Sequence, residues 1–500
     1  MTIRRSSAGC SCGMPAAHRA SSGAAYMHKR PTNVLLITAD QLRYDCVGYS
    51  RKLPVRTPHL DRLAAGGAAF SHAYSVLPVC CPARQSLLNG RRPETFGALW
   101  NYSGALPVAS LRPDAYTWTR TLAENGYTCA YLGKWGVSPD HDATAYGYHS
   151  YLGEREYDEF VKMKYPDVHF TNGYFGERNP IPLEDAQTHW FADRAIEEIS
   201  RLQSQGEPWH MALHFYEPHL PCRPSGPFAD MYDPADIPEW EGYRDTLAGK
   251  PYIQWQQQLS WGVEHFTWDD WAPIVARYYG LISQLDDAIG RVLKALDRTG
   301  SAENTMVIFT ADHGDMCGSH GMMDKHYILY DDVVRVPLII RWSGVRDAGQ
   351  ICGDFVYNFL DLPPTLLSIL GLDACDPGHL QGRSLVPLLA GGPLTEPWRD
   401  AVVATYNGQQ FGLYTQRMIR TEHWKYIWNP TDIDELYHLH ADPGELKNVV
   451  SEAEHVDILN ELRLRLYHQL QADGDALVSN QWMQRQLLGG AKLNSWNPAT

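Results

Sequence analysis

Five hundred residues, 44% of them hydrophobic and 20% charged, form a chain able to bury a full core without staples, outside the disordered and fibrous classes. Lys and Arg number 43 against 58 Asp and Glu, and the resulting charge of −15 argues against nucleic acid or an anionic membrane as partner. Ten cysteines scattered without paired spacing argue against a disulfide scaffold.

Residues 1–30 are small and polar and lack the apolar core of a secretory signal, so they read as a disordered leader. The pair Arg4-Arg5 is not followed by the apolar stretch of a twin-arginine signal. No run reaches the ~18 apolar residues of a membrane span, and the expected location is the cytoplasm. From Pro31 onward, short apolar β-rich runs alternate with amphipathic segments. Candidate strands are Asn33 to Thr38, Tyr127 to Leu132, Trp209 to Phe215, Thr305 to Thr310 and Val336 to Ile340. Between them, Phe191, Ala195, Ile199 and Leu202 recur at helical spacing, as do Ile282, Leu285, Ile289, Val292 and Leu296. Apolar strands separated by helices predict an α/β core with a mostly parallel sheet covered on both faces. The Gly/Pro cluster at 391–393 marks a change. Strand-like runs follow at Ala401 to Thr405, Gln416 to Arg420 and Lys425 to Trp428, then a helix carrying Leu459, Leu462, Leu466 and Leu470. The expected organisation is a leader (1–30), a catalytic domain (31–390), a smaller C-terminal α+β subdomain (391–475) and a tail (476–500) that packs back on the body.

In an open parallel sheet, ligands bind at the carboxyl ends of strands. The first strand runs into Asp40-Gln41 and another into Asp312-His313-Gly314-Asp315, where oxygen donors and an imidazole suit a divalent cation. A third element is Cys80-Cys81-Pro82-Ala83-Arg84. Pro82 reads as the first residue of a helix that ends near Gly90, which places Cys80 just before an anion-favouring N-terminus and Arg84 one turn in. A guanidinium there could hold an oxyanion.

The Cys80-Cys81-Pro82-Ala83-Arg84 run, with Gly90-Arg91, resembles the C-x-P-x-R signature of the formylglycine-dependent sulfatases of the alkaline phosphatase superfamily. The resemblance extends in order through Asp40-Gln41-Leu42-Arg43, Thr57 to Asp61, Gly133-Lys134-Trp135, Pro218-His219-Leu220-Pro221, Asp312-His313-Gly314, Lys325, Arg335-Val336-Pro337, Asp361 to Leu367 and Asp434 to Tyr437. It implies an alkaline-phosphatase-like fold and a sulfuric ester hydrolase in which a maturation enzyme oxidises Cys80 to formylglycine. Hydration of that aldehyde would give two hydroxyls: one attacks sulfur and expels the alcohol, and deprotonation of the other releases sulfate. The resemblance further implies one divalent metal, calcium as the usual ion with manganese and magnesium as alternatives, held by Asp40, Gln41, Asp312, His313 and the converted Cys80. Lys134 and Lys325 match the sulfate-binding lysines, and His219 the histidine near the leaving oxygen.

Where the family usually continues its Lys-Trp motif with a histidine, this chain has Gly136. His141 and Asp315 are candidate replacements. The expected substrate is a short sulfated saccharide, with an aryl or alkyl sulfate behind it; the acidic balance disfavours long, highly sulfated polymers. Tyr406 to Phe411 and the loop from Glu154 to Asn179 are candidate specificity elements. Two other readings remain open on sequence alone, a phosphonate monoester or phosphodiester hydrolase of the same superfamily and a non-catalytic sulfatase-like binding protein.

Overall fold

The computed structural model describes residues 33–102, 107–391, 394, 396–408, 410, 412–490 and 492; the leader at 1–30, part of the 391–393 cluster, Gln409 and Phe411 lie outside them. Eight strands build the large sheet: β1 (Asn33–Asp40), β2 (Ala68–Tyr74), β3 (Thr128–Gly133), β4 (Ser150–Leu152), β5 (Trp209–Pro218), β6 (Thr305–Ala311), β7 (Arg335–Arg341) and β8 (Gln350–Tyr357). Their order is β4-β3-β5-β1-β6-β7-β2-β8, parallel except at β7, which runs antiparallel to both neighbours. The α/β expectation therefore holds. The five apolar runs are strands; β2 and β8 escape the apolar pattern because Ser71-His72 and Gly353-Asp354 interrupt them, and β4 because it is three residues long.

Position in the sheet explains the patterning. All eight residues of β1 are buried, as a central strand flanked by β5 and β6 requires. The helices Gln187–Gln205 and Trp268–Arg298 pack together, with Phe191, Ala195, Ile199, Leu202, Ile282, Leu285, Ile289, Val292 and Leu296 all buried. The antiparallel return of β7 has a functional result. The chain leaving β6 needs no crossover, so residues 312–334 stay at the carboxyl end of the sheet beside the end of β1.

A second sheet, in order β12-β11-β10-β9, is antiparallel throughout: β9 (Ala401–Gly408), β10 (Tyr414–Thr421), β11 (Trp424–Trp428) and β12 (Glu435–His438). Its side chains alternate. Val402, Ala404, Tyr406, Met418, Ile427 and Tyr437 join a core with Tyr74, Val76, Tyr327 and Leu329 of the larger body. Val403, Ile419, Tyr426, Trp428 and Leu436 face a separate core with Leu459, Leu462, Leu466 and Leu470 of the helix Val456–Asp473. Each buried leucine there contributes roughly 1.5–3 kcal/mol. The tail helix Gln481–Gly489 adds Leu487 to this second core, as expected of a segment that packs back.

Candidate active site

The register of β1 with β6 places Ala39 opposite Ala311, so Asp40 and Asp312 leave the sheet side by side. Gln41 follows with φ of 65°, a left-handed conformation uncommon for a side-chain-bearing residue. Its bonds offset that strain: the backbone N–H donates to Asp312 Oδ1 (3.1 Å) and Nε2 to Asp315 Oδ2 (2.8 Å) and Asp324 Oδ1 (3.0 Å). The third element of the site is the helix Cys80–Asn89. It starts at Cys80 itself, two residues earlier than Pro82 suggested, and Gly90 closes it at φ 72°. Proline is tolerated within this first turn because its missing N–H would have no helical partner there.

These elements bring Asp40, Cys80, Asp312 and His313 together, with one ligand atom from each lying within 4.8 Å of the others, all buried. Cys80 Sγ stands 3.3 Å from His313 Nε2, 3.6 Å from Asp40 Oδ1 and 3.7 Å from Lys134 Nζ. His313 Nδ1 faces the Gly314 carbonyl at 2.9 Å, which assigns its proton to Nδ1 and turns the Nε2 lone pair into the cluster. Two carboxylates and an imidazole lone pair converging in a buried site fit a divalent cation. Gln41 borders this set, with Oε1 accepting from Lys325 Nζ at 3.0 Å.

Cations surround the carboxylates. Lys134 Nζ and Arg84 Nη2 each reach Asp40 Oδ2 at 2.8 Å, and Arg84 Nη2 also lies 3.0 Å from Asp312 Oδ2. Burial works against ionisation of Asp40, but Lys134, His219, Arg84 and His313 outweigh it and hold the carboxyl well below the usual range. Burial and then the neighbouring Asp40 push Asp312 up, and burial raises the Cys80 thiol to about 11. Arg84 Nη1 bonds the Lys134 carbonyl and His214 Nδ1, both at 3.0 Å, so its guanidinium clamps the two aspartates and is engaged by protein groups. Lys325 Nζ donates to His219 Nε2 at 3.0 Å and to Asp324 Oδ1 at 3.1 Å. Burial, then Lys325 and Lys134, depress the His219 imidazole well below its ordinary value.

Each sequence-derived site residue is thus in one cluster, Gln41 at its border. The candidate replacements for the missing histidine fare differently. His141 is exposed, tied to Trp135 only through its backbone carbonyl (2.8 Å), and Asp315 caps no helix but accepts from Gln41 and from the Cys317 N–H. Gly136 has φ of 70°, and a Cβ there would lie 2.9 Å from Arg84 Cδ, so a side chain would press on the clamp itself. His214 and Asp324 were not foreseen: the first lay in what read as a plain core strand, and the second is signalled only by adjacency to Lys325. Beside the cluster, a cavity of about 430 Å³ is lined by His219, Tyr216, Glu217, Glu154, Phe170 and Arg223, among others.

A mostly parallel α/β sheet with a carboxylate, imidazole and lysine cluster at its carboxyl end defines a hydrolase of the alkaline phosphatase superfamily. Residues 32–372 match the Sulfatase family and residues 318–472 the C-terminal region of N-sulphoglucosamine sulphohydrolase; the chain belongs to the sulfatase family. It is 27% identical to an arylsulfatase of Clostridium perfringens, covering 89% of this chain and 97% of that one. It is 28% identical to an ulvan-active sulfatase of Formosa agariphila, covering 90% and 83%. Among solved structures it resembles the phosphonate monoester hydrolase of Agrobacterium radiobacter, with a TM-score of 0.74, 27% identity and coverage of 89% and 95%.

Proposed function

We propose that this sulfuric ester hydrolase cleaves sulfate monoesters of short saccharides, with Cys80 converted to formylglycine by a maturation enzyme. The observation that carries the reading is the convergence of Cys80, Asp40, Asp312 and His313 in one buried set flanked by Lys134 and Lys325. Asp40, Asp312 and His313, with Gln41 at the border, would hold a divalent cation, by preference calcium, which neutralises sulfate charge and favours ionisation of the attacking hydroxyl. Lys134, 3.7 Å from Cys80 Sγ, faces the nonbridging oxygens. Lys325 and His219 form a donor and acceptor pair beside the same point, placed to deliver a proton to the leaving oxygen. Arg84 pairs with both aspartates, and its charge beside them supports the oxyanion-holding role anticipated for it. Among the described residues no helix is long and apolar enough to cross a membrane.

Sulfate release from a panel of sulfated mono- and disaccharides tests the reading, together with intact-peptide mass spectrometry across residue 80. Cys80→Ala is expected to lose at least about 10⁴-fold in kcat; a variant of full activity overturns the nucleophile assignment. The likeness to the Agrobacterium enzyme supports a second reading, phosphonate monoester or phosphodiester hydrolysis. An aryl phosphodiester turned over faster than the matching aryl sulfate would favour it.

A further inference from the structure

The cavity beside His219, the residue proposed to act at the leaving oxygen, has a lining of mixed charge. Glu154, Asp158 and Lys162 come from the helix Glu154–Lys164, and Glu217 from the end of β5. Asp158 and Lys162 are one helical turn apart on the same face of that helix. Arg223 is different. Its guanidinium lies 3.8 Å over the ring of Phe170, and Nε is buried without a hydrogen-bond partner. The acid that bears on it is Glu177, whose Oε1 is already taken by the N–H groups of Thr171 (2.6 Å) and Asn172 (2.8 Å). Nearby arginines are committed: Arg178 pairs with Asp230, and Arg277 donates to the Phe175 carbonyl. Among the described residues, no ion pair neutralises Arg223.

We propose that Arg223 is a specificity-determining residue that binds a second anionic group, a sulfate or carboxylate, on the saccharide whose ester is cleaved. This deepens the sulfuric-ester reading and rests on it. Stacking on Phe170 fixes the plane of the guanidinium, which preorganises its N–H edge for an oxyanion. Arg223 is four positions on from His219, a backbone reach of at most about 14 Å, so the second group sits within one or two sugar rings of the scissile ester. The glutamates accept hydrogen bonds from ring hydroxyls or an amine, and Arg223 takes the charge. An acidic protein repels polyanions in general, so a stacked guanidinium at this distance selects short, doubly charged saccharides.

The test compares substrate pairs from the saccharide panel that differ by one sulfate or carboxylate, using matured wild type, Arg223→Ala and Arg223→Lys. The alanine variant is expected to raise KM about tenfold or more for the doubly charged member, as for loss of a hydrogen bond to a charged group. It should leave kcat within about twofold and the singly charged member unchanged, with the lysine variant intermediate. Equal changes for both members overturn the proposal while the sulfatase reading stands. Calorimetric binding of D-glucosamine-2-N,6-O-disulfate to Cys80→Ala protein, with and without Arg223→Ala, reads the same contact without turnover. Arg223-dependent binding with no sulfate release from any ester would sink the sulfatase reading alone; identical affinities would sink the proposal.

Discussion

Two buried charge clusters use the same residue types to opposite ends. In one, Lys425 on β11 spends its three donors on Asp331 Oδ1 (2.7 Å), Glu445 Oε1 (2.8 Å) and the Leu329 carbonyl (3.3 Å). Glu445 Oε2 accepts from the Asp331 N–H and Asp331 Oδ2 from Tyr74, so the cluster closes on itself and ties the second sheet to the larger body. In the other, Lys134 and Arg84 crowd one oxygen of Asp40, two aspartates stand side by side, and a histidine lone pair points at Cys80. Like charges held together and lone pairs converging on one point are arranged for a ligand, not for cohesion.

Removing one lysine from each cluster separates the two roles. Lys425→Met leaves Asp331 and Glu445 buried without their cation and should cost about 3–5 kcal/mol of stability, with near-normal kcat in the folded remainder. Lys134→Met should lower kcat/KM by about 10²–10³ while Arg84 continues to pair Asp40, so that the midpoint of denaturation moves little. Chemical denaturation and steady-state kinetics on both variants check this. Matching profiles for the two would erase the distinction.

The distinction was only half legible in the sequence. Asp40, Asp312, Cys80 and the lysines stand out because they sit at strand ends or in a spaced motif, which is local information. Lys425 looked like an ordinary strand residue, since its partners at positions 329, 331 and 445 come together only through the packing of two sheets. The same holds for His214, whose bond to Arg84 depends on the pairing of β5 with β1, and for the cavity, whose lining comes from segments far apart in sequence. The alternation of the second sheet was readable as strands, but not that both of its faces are buried.

Gly136 probes how tightly the catalytic cluster is set. Alanine there meets a φ of 70° and lies 2.9 Å from Arg84 Cδ, for an expected cost of about 1–3 kcal/mol. Displacement of Arg84 from Asp40 and Asp312 should reduce kcat as well. Gly136→His, which restores the family's more usual residue, is expected to be no more active than Gly136→Ala; recovery above wild type would mean that the missing histidine limits this enzyme.

The two regions also differ in the sign of their pH dependence. Burial raises the Glu217 carboxyl, in the cavity wall, to about 8, above the ~4.3 of an unfolded glutamate. The folded state therefore holds a proton that the unfolded state has lost between those values. Its stability contribution is full below ~4.3 and disappears as pH rises through about 8, by about 1.4 kcal/mol per pH unit at most. Glu217→Gln removes this dependence, so its melting temperature relative to wild type should climb from pH 5 to pH 8 and then level off. Asp331 in the structural cluster behaves in reverse. Burial opposes its ionisation, yet Lys425, Arg420 and Arg335 hold its carboxyl below the usual range, so its contribution is kept at neutral pH and lost on acidification. Asp331→Asn should accordingly differ from wild type at pH 7 and converge with it in acid. A flat Glu217→Gln difference across pH 5–9 would place an ionised carboxylate in the cavity wall and bring its charge into the contest for the substrate beside Arg223.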